Sequence, residues 1–466
     1  AYCRPNYAFW QQKLNLAQPW PGGTLGENLL LDGLDDTQLA IGDILEIGEV
    51  RLQVSGCRTP CGNLIRHLNQ TAAFAADFQA SGRTGFYLEV LQTGSIEAGM
   101  SVRLVKTTER SISVPELARF FMQAEPPLAE IEGILALPGL GVQMQSMLVA
   151  KLNRQRDLMR AQQGRWQGWR QLRVAKIEVE SPEIRSFYLT PLPNEGPLAG
   201  YRAGQYLTVR LALEDGETIS RCWSLSDYDE SLGSYRLSIK REPNGRASRW
   251  MHEHVEPGDA LAVLAPQGRF VLERSKLIKP VILLSAGVGI TPMLAMLKAH
   301  AQRADSNLPS LYFIHVTQDK ESHAFREEVD ALVAGYEQFH RYYFYSKLSA
   351  DALNAELGER AGRPDKAALT ALFSGMGSWF ADKWVEVAPH ECHFYLCGPD
   401  AFMADMIRVL REMQVPAKSI FSESFTPSID AEVPVEAGLA SATVKLSKSE
   451  LELKWQPDSG LSLLEL

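Results

Sequence analysis

Several features are missing from this 466-residue chain, and each absence excludes something. No apolar run reaches the ~20 residues that a membrane-spanning helix needs, and no signal-peptide pattern is visible. Cysteine is scarce. Cys3, Cys57, Cys61, Cys222, Cys392 and Cys397 are scattered, which excludes a small disulfide scaffold and points to a reduced, cytoplasmic setting. Cys57 and Cys61 lie close together but lack the second pair that a structural zinc site needs. Positive charge is not in excess: the net charge of -9 argues against nucleic acid as a partner. No internal repeat or low-complexity segment is present. The chain opens Ala1-Tyr-Cys-Arg-Pro without Met, so its native start is expected to be missing.

What is present is an ordinary globular composition, 45% hydrophobic and 22% charged, over a length that holds three or four domains. The expected fold class is multidomain α/β and β. Residues 1–108 read as mostly β, with Gly42-Asp43 as a turn and Arg51–Val54 and Gly85–Val90 as strand candidates. Residues 109–165 change to helical spacing, opening at Ser113-Val-Pro-Glu116. A small helical bundle is expected there, with 162–168 as linker. Residues 168–274 return to β as an antiparallel barrel. In residues 275–428, Val281–Leu284, Leu311–Val316, Arg341–Tyr345 and His393–Leu396 alternate with helical stretches. That spacing predicts a doubly wound parallel sheet. After a linker at 429–440 comes a last β-like stretch at 441–466.

Three blocks carry chemistry, in this order: Arg221-Cys-Trp-Ser224-Leu-Ser-Asp227, Ser285-Ala-Gly-Val-Gly-Ile-Thr-Pro292 and Tyr395-Leu-Cys-Gly-Pro-Asp400. The planar fork of an Arg gives paired, charge-assisted donors to phosphate. In the second block, Gly287 and Gly289 let the backbone approach a pyrophosphate. Thr291 as N-cap and Pro292 as first helical residue predict a helix whose N-terminus favours negative charge. The third block ends a strand at the edge where such sheets bind ligands. In Val316-Thr-Gln-Asp319, the acid suits ribose hydroxyls better than a 2′-phosphate, which points to NADH.

Together the blocks resemble the ferredoxin-reductase family of flavin enzymes, and within it the reductase half of flavohaemoglobins and related iron–sulfur flavoproteins. The resemblance implies that Arg221 and Ser224 meet flavin phosphate and ring. Trp223, in the usual Tyr position, would stack on the isoalloxazine. Asn244-Gly-Arg-Ala-Ser248 resembles a second phosphate-binding turn, through Gly245 and Ser248. Gly287, Val288, Gly289, Thr291 and Pro292 would bind the nicotinamide nucleotide, with Cys397, Gly398 and Pro399 closing over the nicotinamide. Glu423 and Phe425 match a terminal acid and aromatic near the flavin ring, which places Cys397 and Glu423 at the catalytic centre. FAD is expected, with FMN left open.

Val444–Leu446, Leu451–Trp455 and Ser462–Glu465 resemble the opening of a plant-type [2Fe–2S] ferredoxin domain. Such a cluster needs four thiolates, and the tail holds none. A truncated ferredoxin-like tail is therefore expected, with the cluster only in a full-length protein. At the other end, Gly26-Glu-Asn-Leu29, Ile41-Gly-Asp43 and Arg58-Thr-Pro-Cys-Gly-Asn63 resemble a MOSC domain, expected as a β-barrel followed by three helices. The family's opening strands are not matched. The resemblance makes Cys61 the candidate molybdenum ligand, with Arg58 and Asn63 as cofactor contacts and Cys57 as runner-up; a thiolate is a soft ligand suited to such a metal. The expected function runs from NADH to flavin, through [2Fe–2S], to a molybdenum-cofactor head that reduces N-hydroxylated compounds. Its partner would be such a small molecule or a redox protein, with no nucleic acid and no membrane. The alternative has the reductase feed a separate oxygenase, with the head as a sulfur-carrier or binding module.

Overall fold

The computed structural model describes residues 1–213, 216–229, 231, 233–272, 279–302, 309–380, 383–425, 442–446 and 451–455. Ser462–Glu465 and the linker at 429–440 lie outside the described residues. Residues 1–423 form one unit and 424–466 another.

The head opens with β1 (Tyr2–Cys3) and helix α1 (Pro5–Lys13), and β1 pairs with β2 (Leu30–Leu31). Its main sheet has β3 (Ile44–Ile47), β4 (Val50–Cys57), β5 (Phe86–Gln92) and β6 (Val102–Val105), in the order β5-β4-β3-β6, all antiparallel. Gly48, at φ +60°, makes the two-residue turn between β3 and β4. Helices α2 (Gly62–His67) and α3 (Ala72–Ser81) follow β4. The mostly-β expectation for 1–108 is thus corrected. Among the described residues the head is an open four-stranded sheet flanked by three helices, and no barrel closure is seen. The helices escaped notice because α1 buries Asn6 beside Tyr7 and Trp10, a polar residue on a core position that blurs the apolar period. Their core is aromatic: Trp10 stacks on Phe78 at 5.4 Å and meets Phe74 at 5.3 Å.

Helices follow the head sheet. α4 (Val114–Phe120) starts from a capping box in which Ser113 accepts from Glu116 N–H and Glu116 accepts from Ser113 N–H. α5 (Leu128–Leu135) and α6 (Val142–Gln162) complete the trio. Gly56 lets α6 press onto β4: a Cβ there would lie 2.4 Å from Met144 Cγ.

The next six strands are β7 (Arg170–Ser181), β8 (Ile184–Pro191), β9 (Tyr206–Ala212), β10 (Thr218–Ser224), β11 (Tyr235–Lys240) and β12 (Ala260–Val263). They form an antiparallel sheet in the order β10-β9-β12-β7-β8-β11. A bridge between Leu225 and Leu237 joins its two edges, so the sheet closes on itself. α7 (Arg246–His254) crosses between β11 and β12.

The parallel sheet contains β13 (Val281–Ala286), β14 (Leu311–Thr317), β15 (Phe339–Tyr345), β16 (Glu359–Ala361), β19 (His393–Cys397) and β20 (Ile420–Glu423), ordered β16-β15-β14-β13-β19-β20. A side hairpin, β17 (Gly377–Phe380) and β18 (Lys383–Glu386), precedes β19. Among the described residues, four α-helices cover the sheet: α8 (Ile290–Ala301), α9 (Arg326–Ala334), α10 (Lys366–Leu372) and α11 (Asp400–Glu412). β13 is buried throughout. Val281 and Leu283 join one core with α8 and α9, while Ile282 and Leu284 join a second with α11. Burial on both faces explains its unbroken apolar run.

The second unit shows an antiparallel hairpin, β21 (Ala442–Leu446) with β22 (Leu451–Trp455), where the sequence places strands. No helix among the described residues is long and apolar enough to cross a membrane.

Candidate functional site

Chain order in the parallel sheet reverses between β13 and β19. Ligands bind such sheets at the carboxyl ends of the strands at this point. β13 ends in Gly287-Val-Gly289 and β19 in Cys397-Gly398-Pro399, so the second and third sequence blocks meet. Gly287 sits at φ +55°, and a Cβ on it would point into open space. Gly289 differs: a Cβ there would lie 2.2 Å from the carbonyl oxygen of Cys397. Gly398 is equally hemmed in, by Phe402 at 2.9 Å and Ala286 Cβ at 3.1 Å. These glycines allow the two turns to touch.

The helix start is corrected. Gly287–Gly289 forms a 3₁₀ turn that runs directly into α8, so the cap is Gly289, and Thr291 and Pro292 already lie inside the first turn. Pro292 is tolerated because first-turn N–H groups have no intrahelical partner. The buried Thr291 hydroxyl donates to Val288 O at 3.0 Å and pins the turn. Pro399 caps α11 at the same edge.

The register of β13, β19 and β20 sets Ser285, Cys397 and Glu423 in one row. Ser285 Oγ shares a hydrogen with His315 Nδ1 at 2.9 Å. Burial, helped by Glu423, pushes the Cys397 thiol up, so it stays neutral at ordinary pH. Glu423 Oε2 is buried and has no partner among the described residues. Burial raises its carboxyl from 4.5 to about 7. The folded-state value lies above the ordinary one, so ionising Glu423 opposes folding, and stability is lost as pH rises through that interval. A Glu423→Gln variant should unfold close to the parent at about pH 5 and at a higher temperature than the parent at about pH 8. Thermal melts check this; a gap that does not widen with pH rejects the burial of that carboxyl.

The first sequence block lies on β10. Arg221 and Trp223 are two residues apart and share a strand face. Arg221 is exposed and its guanidinium donates to Ser220 O at 2.8 Å; Trp223 is half-buried against the barrel core; Ser224 is buried. Tyr206 pairs with Ser224 in the neighbouring strand. Burial, with Cys222 and Glu423 nearby, raises the Tyr206 phenol. The turn before α7 is built on Ser248. Its buried hydroxyl accepts from Glu242 N–H at 3.1 Å and donates to Gly245 O at 3.3 Å, so it holds the turn. Asp319 lies just past β14, where its Oδ1 accepts from Ser322 N and Oγ at 2.9 and 2.8 Å. These bonds hold its carboxyl below the usual range. Phe425 is exposed and belongs to the second unit.

In the head, β4 ends at Cys57, whose thiol burial pushes up to about 12. Its place at a strand end makes it structural. Cys61 is exposed and caps α2, its sulfur accepting from Leu64 N–H at 3.5 Å. The Arg58 guanidinium turns to the carbonyl of Leu25, and Asn63 accepts from Arg66. Among the described residues no three His, Cys, Asp or Glu side chains converge as a metal site.

Comparison with known proteins gives three domain matches: the MOSC domain at residues 1–103, the oxidoreductase FAD-binding domain at 171–272, and the oxidoreductase NAD-binding domain at 283–408. A flavohemoprotein of Deinococcus radiodurans is 38% identical over 273 residues, 58% of this chain and 63% of the relative. One from Burkholderia sp. (strain TH2) is 39% identical over 265 residues, 57% and 61%. The chain spans about three fifths of the length of these curated relatives. The solved flavohem-like FAD/NAD binding domain of nitric oxide dioxygenase from Vibrio cholerae is 28% identical and covers 56% of this chain and 100% of its own, with a TM-score of 0.46.

Proposed function

We propose that this chain, in which a MOSC domain is joined to FAD-binding and NAD-binding domains of the ferredoxin-reductase type, draws electrons from NADH and passes them to its head. The observation that carries the reading is the meeting of Gly287–Gly289 with Cys397–Pro399 at the switch point, in one row with Glu423. Bound flavin would accept hydride as an electron pair and release electrons singly, which is what a one-electron acceptor requires. The protein supplies placement. Arg221 holds phosphate, Ser224 and Tyr206 face the ring, and Trp223 offers an indole for stacking. The Gly287–Gly289 turn and α8 receive pyrophosphate. Asp319, kept ionised, would meet ribose hydroxyls. Glu423 exchanges a proton near neutrality beside the same row.

Arg221→Ala should weaken flavin retention by about 2–3 kcal/mol, the worth of a charged hydrogen bond. Absorbance of bound flavin after gel filtration measures this, and unchanged content would reject the role of Arg221.

For the head, the accessible Cys61 thiolate would ligate a molybdenum cofactor, with Arg58 near its phosphate. A [2Fe–2S] domain, to which β21 and β22 belong in this reading, would relay electrons. The substrate would be an N-hydroxylated base or amidoxime. A second reading is supported by the Arg58 side chain, which turns to Leu25 rather than Cys61. Cys61 then works as an exposed sulfur carrier, and the reductase feeds a separate oxygenase.

A further inference from the structure

The loop that follows the flavin strand is gripped by side chains from outside the barrel. Asp227, three residues past Ser224, accepts from Lys298 of α8. Lys298 also reaches Glu328 of α9. Glu328 accepts from Arg236 of β11 at 3.0 Å, and Arg236 donates back to Ser226 O at 2.6 Å. Gln302, at the end of α8, donates to Tyr228 O at 3.0 Å. The barrel and the parallel-sheet domain each contribute one cation and one carboxylate, in alternation. Arg236 is 5% exposed on its side chain and Lys298 17%, so solvent screens this cluster little. Burial works against ionisation of Asp227, yet the charges of Arg236 and Lys298 hold its carboxyl below the ordinary value.

One ion pair therefore connects the two ligand turns. Asp227 continues the strand that carries Arg221 and Ser224. Lys298 sits on the helix whose start is the Gly287–Gly289 turn, about 12 Å away at about 1.5 Å per residue. An α-helix is stiff over that length, so a shift at Lys298 reaches the turn.

We propose that Lys298 is a positioning residue for hydride delivery, setting helix α8 and its glycine turn against the flavin strand. In the step it serves, NADH gives up one hydride and becomes NAD⁺, and the oxidised flavin gains that hydrogen and both electrons. This rests on the flavin–nicotinamide reading above. Transfer needs reacting atoms about 3–3.5 Å apart, and a shift of about 1 Å costs up to about 100-fold. A plain stability clamp would lower melting temperature and flavin content without touching the rate in loaded protein.

The test uses the full chain as Lys298→Met and Lys298→Arg. Flavin reduction by saturating NADH is followed by anaerobic stopped flow, normalised to bound flavin. Amide hydrogen exchange is read on flavin-free protein. Lys298→Met is expected to keep its flavin, to be reduced about tenfold or more slowly, and to show a smaller change in KM for NADH. Exchange at Ser226–Asp229 should quicken without cofactor present, and Lys298→Arg should restore both readouts. Loaded Lys298→Met reduced at the parent rate, or exchange unchanged, overturns the proposal alone. A parent chain that neither NADH nor NADPH reduces overturns the proposal together with the reading beneath it.

Discussion

In protein that also carries the proposed [2Fe–2S] relay, Cys61→Ser is expected to abolish NADH-driven reduction of an N-hydroxylated base and to leave NADH-to-dye turnover intact. The two activities draw on separate parts of the chain. Cys61 caps α2 in the head, whereas the proposed flavin and nicotinamide turns lie beyond Arg170 on other sheets. The substitution itself is mild for the fold. Cys61 is exposed, and a serine oxygen is a better N-cap acceptor than sulfur, so Leu64 N–H keeps a partner. What changes is ligand chemistry, because a serine oxygen is a harder donor and its hydroxyl is far less acidic than a thiol. Two measurements go together: metal content of protein made in cells that supply molybdenum cofactor, and turnover with each acceptor. Loss of molybdenum and N-reduction, with dye reduction unchanged, supports the ligand assignment. If Cys61→Ser retains both metal and N-reduction, the assignment fails. Parent protein without molybdenum favours the sulfur-carrier reading.

The parallel sheet was legible because its strands are buried on both faces: Val281–Leu284 is an unbroken apolar run, and Leu311–Val316 is apolar but for the buried His315. The start of α4 was legible because Ser113 and Glu116 stand at capping-box spacing. The head helices were not. Pro5 suits a first helical turn, but Asn6 takes a buried position, and the aromatic pair Phe74 and Phe78 only marks a face once Trp10 is brought to it. Thr291 misled because Thr before Pro is a common helix start. Only the contact between Gly289 and Cys397, which are distant in sequence, shows that the chain has already turned. The row of Ser285, Cys397 and Glu423 was hidden for the same reason, since strand register is a long-range property. So was the cluster around Lys298: isolated charges at 227, 236, 298 and 328 carry no local signal.

Gly289→Ala should damage the reductase at the point where its two turns meet. The backbone at Gly289 is ordinary, so conformational strain is not the issue. Its requirement is steric. An added Cβ would lie 2.2 Å from Cys397 O, 2.5 Å from Cys397 C and 2.8 Å from Gly398 N. All three are backbone atoms at the end of β19, so no side chain can swing away. The turn after β13 must separate from the turn after β19, which misaligns both halves of the nucleotide site. NADH-driven flavin reduction should fall on the order of 100-fold. Overpacking should also lower stability by about 1–3 kcal/mol in a urea titration. Bound flavin should persist, because Arg221, Trp223 and Ser224 sit on the barrel. Gly287→Ala is the control. Its Cβ meets nothing in the protein, and its φ of +55° costs only about 1–2 kcal/mol for a non-glycine residue. A Gly287→Ala variant that folds and keeps flavin, but has a raised KM for NADH, places the dinucleotide against that open side. Gly289→Ala protein reduced by NADH at the parent rate would show that the two turns need not touch, and would remove the switch point as the site of hydride delivery.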